Sequence, residues 1–271
     1  MAQLDKSLVR AIGLGKAAKE FLAGARAAGL SVPGRFGTEV VARLLGLRTD
    51  LPVSDDSQEL QPAQPATRAD AAFSAARVLS LGQEVPGGVP APGLTPVAAA
   101  DAAGGVAYVR SIAPTFVVPQ LTVQQQEVLR TAFSLIGYPY VWGGDDENVE
   151  PGFDCSGLVW RVFRLQLYAG MPGLADTIQG RTAAQMAGEI PRSARIEKVA
   201  DLQPGDVMFF GPKGRRSRVA TIDHTAIYVG NGWLIDSSGQ GVSLGRLEWF
   251  TKRFAWARRP LAEAAPGRQA S

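Results

Sequence analysis

Two side chains in this sequence have the chemistry for nucleophilic catalysis, and each occurs once. Cys155 stands in Asp154-Cys155-Ser156-Gly157 at the head of an apolar pattern with helical spacing. His224 follows Asp223 and opens a stretch with the two-residue period of a strand. A thiol attacks only as thiolate, and a free thiol is mostly protonated near neutral pH. A helix N-terminus favours the anion, and a neighbouring imidazole can take the proton to give a Cys⁻/His⁺ pair. A solitary cysteine is usually an inert small hydrophobe. The combined context of Cys155 and His224 outweighs that reading. One cysteine excludes an internal disulfide and a Cys-based zinc site. With one histidine, a metal site would be almost wholly carboxylate, and the sequence shows no such cluster. Neither a metal nor another cofactor is expected.

The elements that must position this pair fall in three composition zones. Residues 1–82, rich in Ala, Leu and Arg, read as short helices: Leu4, Leu8 and Ile12 recur at helical spacing, as do Val40, Leu44 and Leu45. Thr67 is placed to cap a further helix running through Leu81. Residues 83–120, rich in Pro, Gly and Ala, read as a linker whose tail from Ala107 is apolar enough to pack on the next domain. In 121–260, Thr122 and Gln125 have capping-box spacing before a helix with Leu129, Ala132, Phe133 and Ile136 on one face. A second helix is expected from Cys155, with Leu158, Val162 and Leu165 inward. Beyond Pro204-Gly205-Asp206, strands are expected at Val207–Phe210, Thr225–Val229, Trp233–Ser237 and near Phe254–Ala257. Helices followed by antiparallel strands indicate an α+β fold, and residues 261–271 read as a flexible tail.

Gly137-Tyr138-Pro139-Tyr140-Val141-Trp142-Gly143-Gly144, Phe153-Asp154-Cys155-Ser156-Gly157-Leu158-Val159, Leu202 to Phe210, and Asp223-His224 through Gly230-Asn231-Gly232 form four motifs in one order. On these motifs residues 121–260 resemble the NlpC/P60 family of cysteine peptidases. The resemblance implies a compact papain-like fold, helices packed on an antiparallel sheet, and cleavage of peptidoglycan stem peptides. It implies Cys155 as nucleophile, His224 as base, and Tyr140 lining the site near the scissile carbonyl. It also implies that Asp154 and Ser156 bind the ammonium of a stem with a free amino end; Asp154 is equally placed to cap its helix. Arg181-Thr182 is similar to a helix start found between the halves of such domains.

The third catalytic position departs from the family's commonest pattern: Asp236 stands where a second histidine is usual. A carboxylate can orient the imidazole and stabilise its cation. Hairpin geometry tests the assignment. A strict two-residue Asn231-Gly232 loop pairs Ile227 with Asp236 and puts Asp236 on the face opposite His224. A three-residue loop or an equivalent bulge pairs Ala226 with Asp236 and puts both on one face. The second geometry is expected.

The remaining features bound partners and location. Pro65-Ala66-Thr67-Arg68-Ala69-Asp70 is weakly similar to an S-layer homology repeat, which would give the N-terminal region a cell-wall polymer as partner; an unrelated helical cap is the alternative. The 271 residues carry 28 Lys and Arg against 25 Asp and Glu, a net +3, with no basic stripe interleaved with aromatics, so no nucleic-acid partner is expected. No apolar run of about 18 residues marks a membrane span. The N-terminus, interrupted by Lys6, Arg10, Lys16 and Lys19, does not read as a secretory signal. The substrate implied by the resemblance nonetheless puts the site of action outside the cell or in the wall. Two rival readings remain open: a catalytically silent or occluded wall-binding adaptor, and a phage-type lysin.

Overall fold

The computed structural model describes residues 1–48, 59–81 and 104–264. Three helices, α1 (Ala2–Ala11), α2 (Gly15–Ala27) and α3 (Phe36–Leu44), pack on one another and bury Val9, Phe21, Phe36 and Val40. Helix α4 (Arg68–Leu81) starts at Thr67, whose hydroxyl and backbone N–H both donate to Asp70 Oδ2, at 2.6 and 2.8 Å. Asp70 thus has a local structural role as part of a cap. The stretch containing the greater part of the expected linker, 82–103, lies outside the described residues, as does 265–271 of the expected tail. Within 104–118 the chain is helical over 105–115 and buries Tyr108, Val109, Ile112, Phe116 and Val118: α5 (Gly105–Ile112) places Tyr108 against Trp249, the indole N–H donating to the phenol oxygen at 3.0 Å.

Helix α6 (Val123–Ser134) begins with the expected capping box between Thr122 and Gln125. Helix α7 (Cys155–Trp160) runs into a π turn, Arg161–Leu165. The extra residue in that turn rotates the side chains beyond it about the helix axis. Leu158 and Val162 are buried as expected, but Leu165 is 41% exposed rather than inward. Helix α8 (Ala183–Gly188) carries a second capping box, Thr182 with Gln185.

Five strands, β1 (Val207–Phe210), β2 (His224–Gly230), β3 (Trp233–Ser238), β4 (Gly241–Arg246) and β5 (Phe254–Arg258), form one antiparallel sheet in the order β4-β3-β2-β1-β5. A short helix, α9 (Pro260–Glu263), comes after the last strand. The strand missing from the sequence reading is β4. Its Val242 and Leu244 alternate correctly, but glycines at 241 and 245 mask the signal. The architecture is the expected α+β.

The aromatic core joins both halves of the chain. Phe116 lies 5.5 Å from Phe21, 6.3 Å from Phe36, 6.4 Å from Phe133 and 5.2 Å from Trp233, centroid to centroid. The N-terminal helices therefore share a core with the sheet. Fully buried Arg43 on α3 reinforces the junction, donating to the carbonyls of Gln240, at 2.7 Å, and Gly137, at 2.5 Å. These two backbone points flank the segments that lead into Tyr140 and out of β3.

Candidate active site

Cys155 is the first residue of α7, and the residue before it sets the helix start. Asp154 Oδ1 accepts the N–H of Gly157 at 2.5 Å and the Ser156 hydroxyl at 2.9 Å, while Oδ2 accepts the N–H of Gly143 at 2.9 Å. One carboxylate thus satisfies an orphan donor of the helix and ties it to the Trp142-Gly143-Gly144 loop. Gly157 is required for that approach: a Cβ there would lie 1.8 Å from the Gly144 carbonyl oxygen. Phe153, just upstream, bridges to Tyr140, and its carbonyl accepts the buried Ser237 hydroxyl at 2.6 Å. Ser237 is next to Asp236 on β3, so the segments bearing Tyr140, Cys155 and Asp236 are fastened at one point.

The β2–β3 hairpin has the register that puts Asp236 beside His224. Ile227 pairs with Ile235 and Tyr228 with Leu234, and the register shifts between Tyr228 and Gly230 before Gly230 meets Trp233. Val229 is the bulged residue, the turn residues Asn231 and Gly232 both have positive φ (51° and 76°), and continuing the register sets Asp236 opposite Ala226. Asp236 Oδ2 then lies 2.9 Å from His224 Nε2, with Asp236 fully buried and the imidazole side chain 13% exposed. The Phe250 ring stacks on the imidazole at 5.7 Å and 15°, and Phe210 packs on it at the same distance.

With Nε2 engaged by Asp236, Nδ1 is the ring nitrogen left for the thiol, and Cys155 hydrogen-bonds this imidazole. Burial alone pushes the His224 pKa down. The hydrogen bonds to Asp236 and Cys155, with their negative charges, outweigh burial and raise it from 6.5 to about 10. At neutral pH the ring is an imidazolium.

These residues sit in a groove of about 800 Å³ walled by Tyr140, Trp142, Arg181, Ile222 and Phe250. Among the described residues no group of three or more His, Cys, Asp or Glu side chains is placed to hold a metal ion. The structure brings Tyr140, Asp154, Cys155, Ser156 and His224 to the groove, and Asp236 to the back of the imidazole. Two participants escape the sequence reading. Phe250 carries no signal beyond its apolar type. Arg181 is legible in the sequence only as a helix start; its guanidinium instead lies over Asp154 and Ser156, with Nη1 3.2 Å from Asp154 Oδ1 and 3.0 Å from Ser156 Oγ.

Residues 137–259 match the family model described as NlpC/P60 family. They form an NlpC/P60 domain. The chain is 36% identical over 130 residues to murein DD-endopeptidase MepH of Escherichia coli, a match covering 46% of this chain and 42% of MepH. It is 29% identical over 195 residues to peptidoglycan endopeptidase RipB of Mycobacterium tuberculosis, covering 66% of this chain and 70% of RipB. The solved NlpC/p60 domain of peptidoglycan hydrolase SagA is 27% identical, covers 50% of this chain and 98% of that structure, and superposes with a TM-score of 0.38. The chain spans less than half the length of MepH. No helix among the described residues is long and apolar enough to cross a membrane.

Proposed function

We propose that this chain is a peptidoglycan hydrolase, a thiol endopeptidase whose NlpC/P60 domain cuts stem peptides at the wall. The observation that carries the reading is the single imidazole held between Asp236, at 2.9 Å, and Cys155 at the groove. The relatives' names, murein DD-endopeptidase and peptidoglycan endopeptidase, support the substrate class. In the proposed reaction the Cys155 thiolate attacks the scissile carbonyl carbon, giving a tetrahedral oxyanion. The Cys155 backbone N–H and the Tyr140 hydroxyl are assigned to that oxyanion. The intermediate collapses to a thioester as His224 passes its proton to the leaving amine. His224 then deprotonates water, which attacks the thioester, releases the acid and restores the thiol. Asp236 keeps the ring oriented throughout and compensates its charge. The bond assigned is that between γ-D-glutamate and the diamino acid.

The test is digestion of purified tri- and tetrapeptide muropeptides of both diamino-acid types, with products read by mass spectrometry. Wild type is expected to cut after D-glutamate, and Cys155→Ala to leave every substrate intact. Cleavage that survives in Cys155→Ala overturns the nucleophile assignment. Intact substrates with wild type favour a wall-binding protein without catalysis.

A further inference from the structure

The amine that His224 protonates is the nitrogen of the leaving diamino acid. In the proposed reaction that residue therefore lies against the imidazole, and its side chain runs along the wall around the ring. An ion pair stands on that wall. Arg253 Nη2 donates to Asp223 Oδ1 at 2.5 Å, and both side chains line the groove beside His224 and Phe250. Asp223 directly precedes His224, the first residue of β2, and Arg253 directly precedes Phe254, the first residue of β5. Phe210, the last residue of β1, pairs with His224 on one side and Phe254 on the other, so the ion pair bridges the end of β1. Backbone bonds hold both positions. Asp223 N–H donates to the Phe210 carbonyl at 3.1 Å, Arg253 N–H donates to the Phe250 carbonyl at 2.8 Å, and the Arg253 carbonyl accepts the Gly211 N–H at 2.9 Å. The side chains stay open to the groove, Arg253 37% and Asp223 53% exposed, and neither makes a second ion pair with a described residue.

An ion pair this exposed contributes little to stability, since water competes for both charges. It opens at small cost to a ligand that brings a carboxylate and an ammonium together, each then facing its opposite charge. The side chain of meso-diaminopimelate ends in a carbon that carries both groups. Lysine ends in an ammonium alone. Asp223 can take that ammonium only by giving up Arg253, and the guanidinium then faces a like charge with no anion in exchange. Phe250, stacked on the imidazole, offers an apolar face to the methylenes between.

We propose that Asp223 and Arg253 form the subsite for the side-chain end of the diamino acid. In it Arg253 is a specificity-determining residue that selects meso-diaminopimelate with a free side-chain carboxylate over its carboxamide and over lysine. This rests on the reading of the groove as a stem-peptide site, and it chooses between the two diamino acids which that reading leaves open.

The deciding experiment uses the full chain and three muramyl tetrapeptides that differ only in the third residue: meso-diaminopimelate, its side-chain carboxamide, or L-lysine. The fourth residue keeps the α-carboxyl of the third in a peptide bond, so the side-chain carboxylate is the one anion that changes. Wild type is expected to show a kcat/KM for the diaminopimelate peptide at least about tenfold above the other two. Arg253→Gln, which keeps hydrogen bonding and removes the charge, is expected to erase most of that preference. Equal rates in wild type, a preference for lysine, or a ratio that folded Arg253→Gln leaves where it was overturns the proposal. If Arg253→Gln does not fold, the comparison of carboxylate with carboxamide in wild type still decides it. If wild type cuts none of the peptides, their calorimetric binding to Cys155→Ala separates this proposal from the peptidase reading. Tighter binding of the diaminopimelate peptide then sustains the subsite while the peptidase falls. Equal binding of the three, or binding of none, sinks the subsite.

Discussion

An imidazole flanked by a buried carboxylate and a thiol favours its protonated form, and this sets the pH behaviour expected of the site. The His224 pKa, raised to about 10, keeps the imidazole protonated through neutral pH. Activity should therefore persist well into the alkaline range and fall only as His224 loses its proton near that value. Replacing Asp236 with Asn removes the hydrogen-bonded charge and leaves burial, which lowers the pKa, less opposed. We expect kcat/KM to drop by about 10²–10⁴-fold and the alkaline limb to move toward lower pH; a pH–rate profile of both proteins checks this. A limb that stays in place would show that Asp236 does not set the imidazole's charge. The same shift fixes the sign of the effect on stability. Because the folded pKa lies above the ordinary 6.5, this pair stabilises the fold fully below pH 6.5 and loses that contribution as pH rises through about 10.

At the scale of elements, the catalytic helix depends on a backbone approach more than on helix propensity. A Cβ at Gly157 would meet the Gly144 carbonyl oxygen at 1.8 Å, so α7 can sit on the 142–144 loop only with glycine there. Gly157→Ala is expected to cost about 2 kcal/mol or more through overpacking and to separate Asp154 from Gly143. Urea titration beside wild type measures the cost, and unchanged stability would show that the loop yields. The start of α7 was legible in Asp154-Cys155-Ser156-Gly157, since capping is local chemistry. The β2–β3 register was legible too, because face alternation leaves only one loop geometry that brings Asp236 to His224. The side of Leu165 was not legible: a π turn is selected by surrounding packing and leaves no periodic trace. Nor was β4, whose glycines hide a strand that pairing with β3 stabilises.

Across the whole molecule, the N-terminal helices bring a buried charge cluster against the NlpC/P60 domain. Arg48 Nη1 is 2.9 Å from Asp5 and 3.9 Å from Glu39, and Glu59 lies between Arg48 and Arg43. Glu39 is fully buried, and among the described residues its oxygens accept no hydrogen bond. Burial first, then the charge of Asp5, raise its pKa from 4.5 to about 7 against the opposing pull of Arg48, Arg43 and Arg35. An acid with a raised folded pKa binds more protons folded than unfolded, so its cost grows as pH climbs from 4.5 through 7. Glu39→Gln should be close to neutral at pH 4.5 and stabilising by about 3 kcal/mol at pH 8. Denaturant melts at the two pH values check this, and a benefit independent of pH would rule out Glu39 ionisation as its source.

The sequence by itself determined the local chemistry: the capped helix that presents Cys155, the hairpin that presents His224, and the α+β order of elements. These come from spacing, because caps, turns and face alternation act over a few residues. Only the tertiary structure decided the shared core around Phe116, the charge cluster under Gly137 and the seat of Arg181 on Asp154 and Ser156. Those contacts join residues far apart in the chain, and burial and charge pairing between them depend on three-dimensional packing that no local pattern encodes.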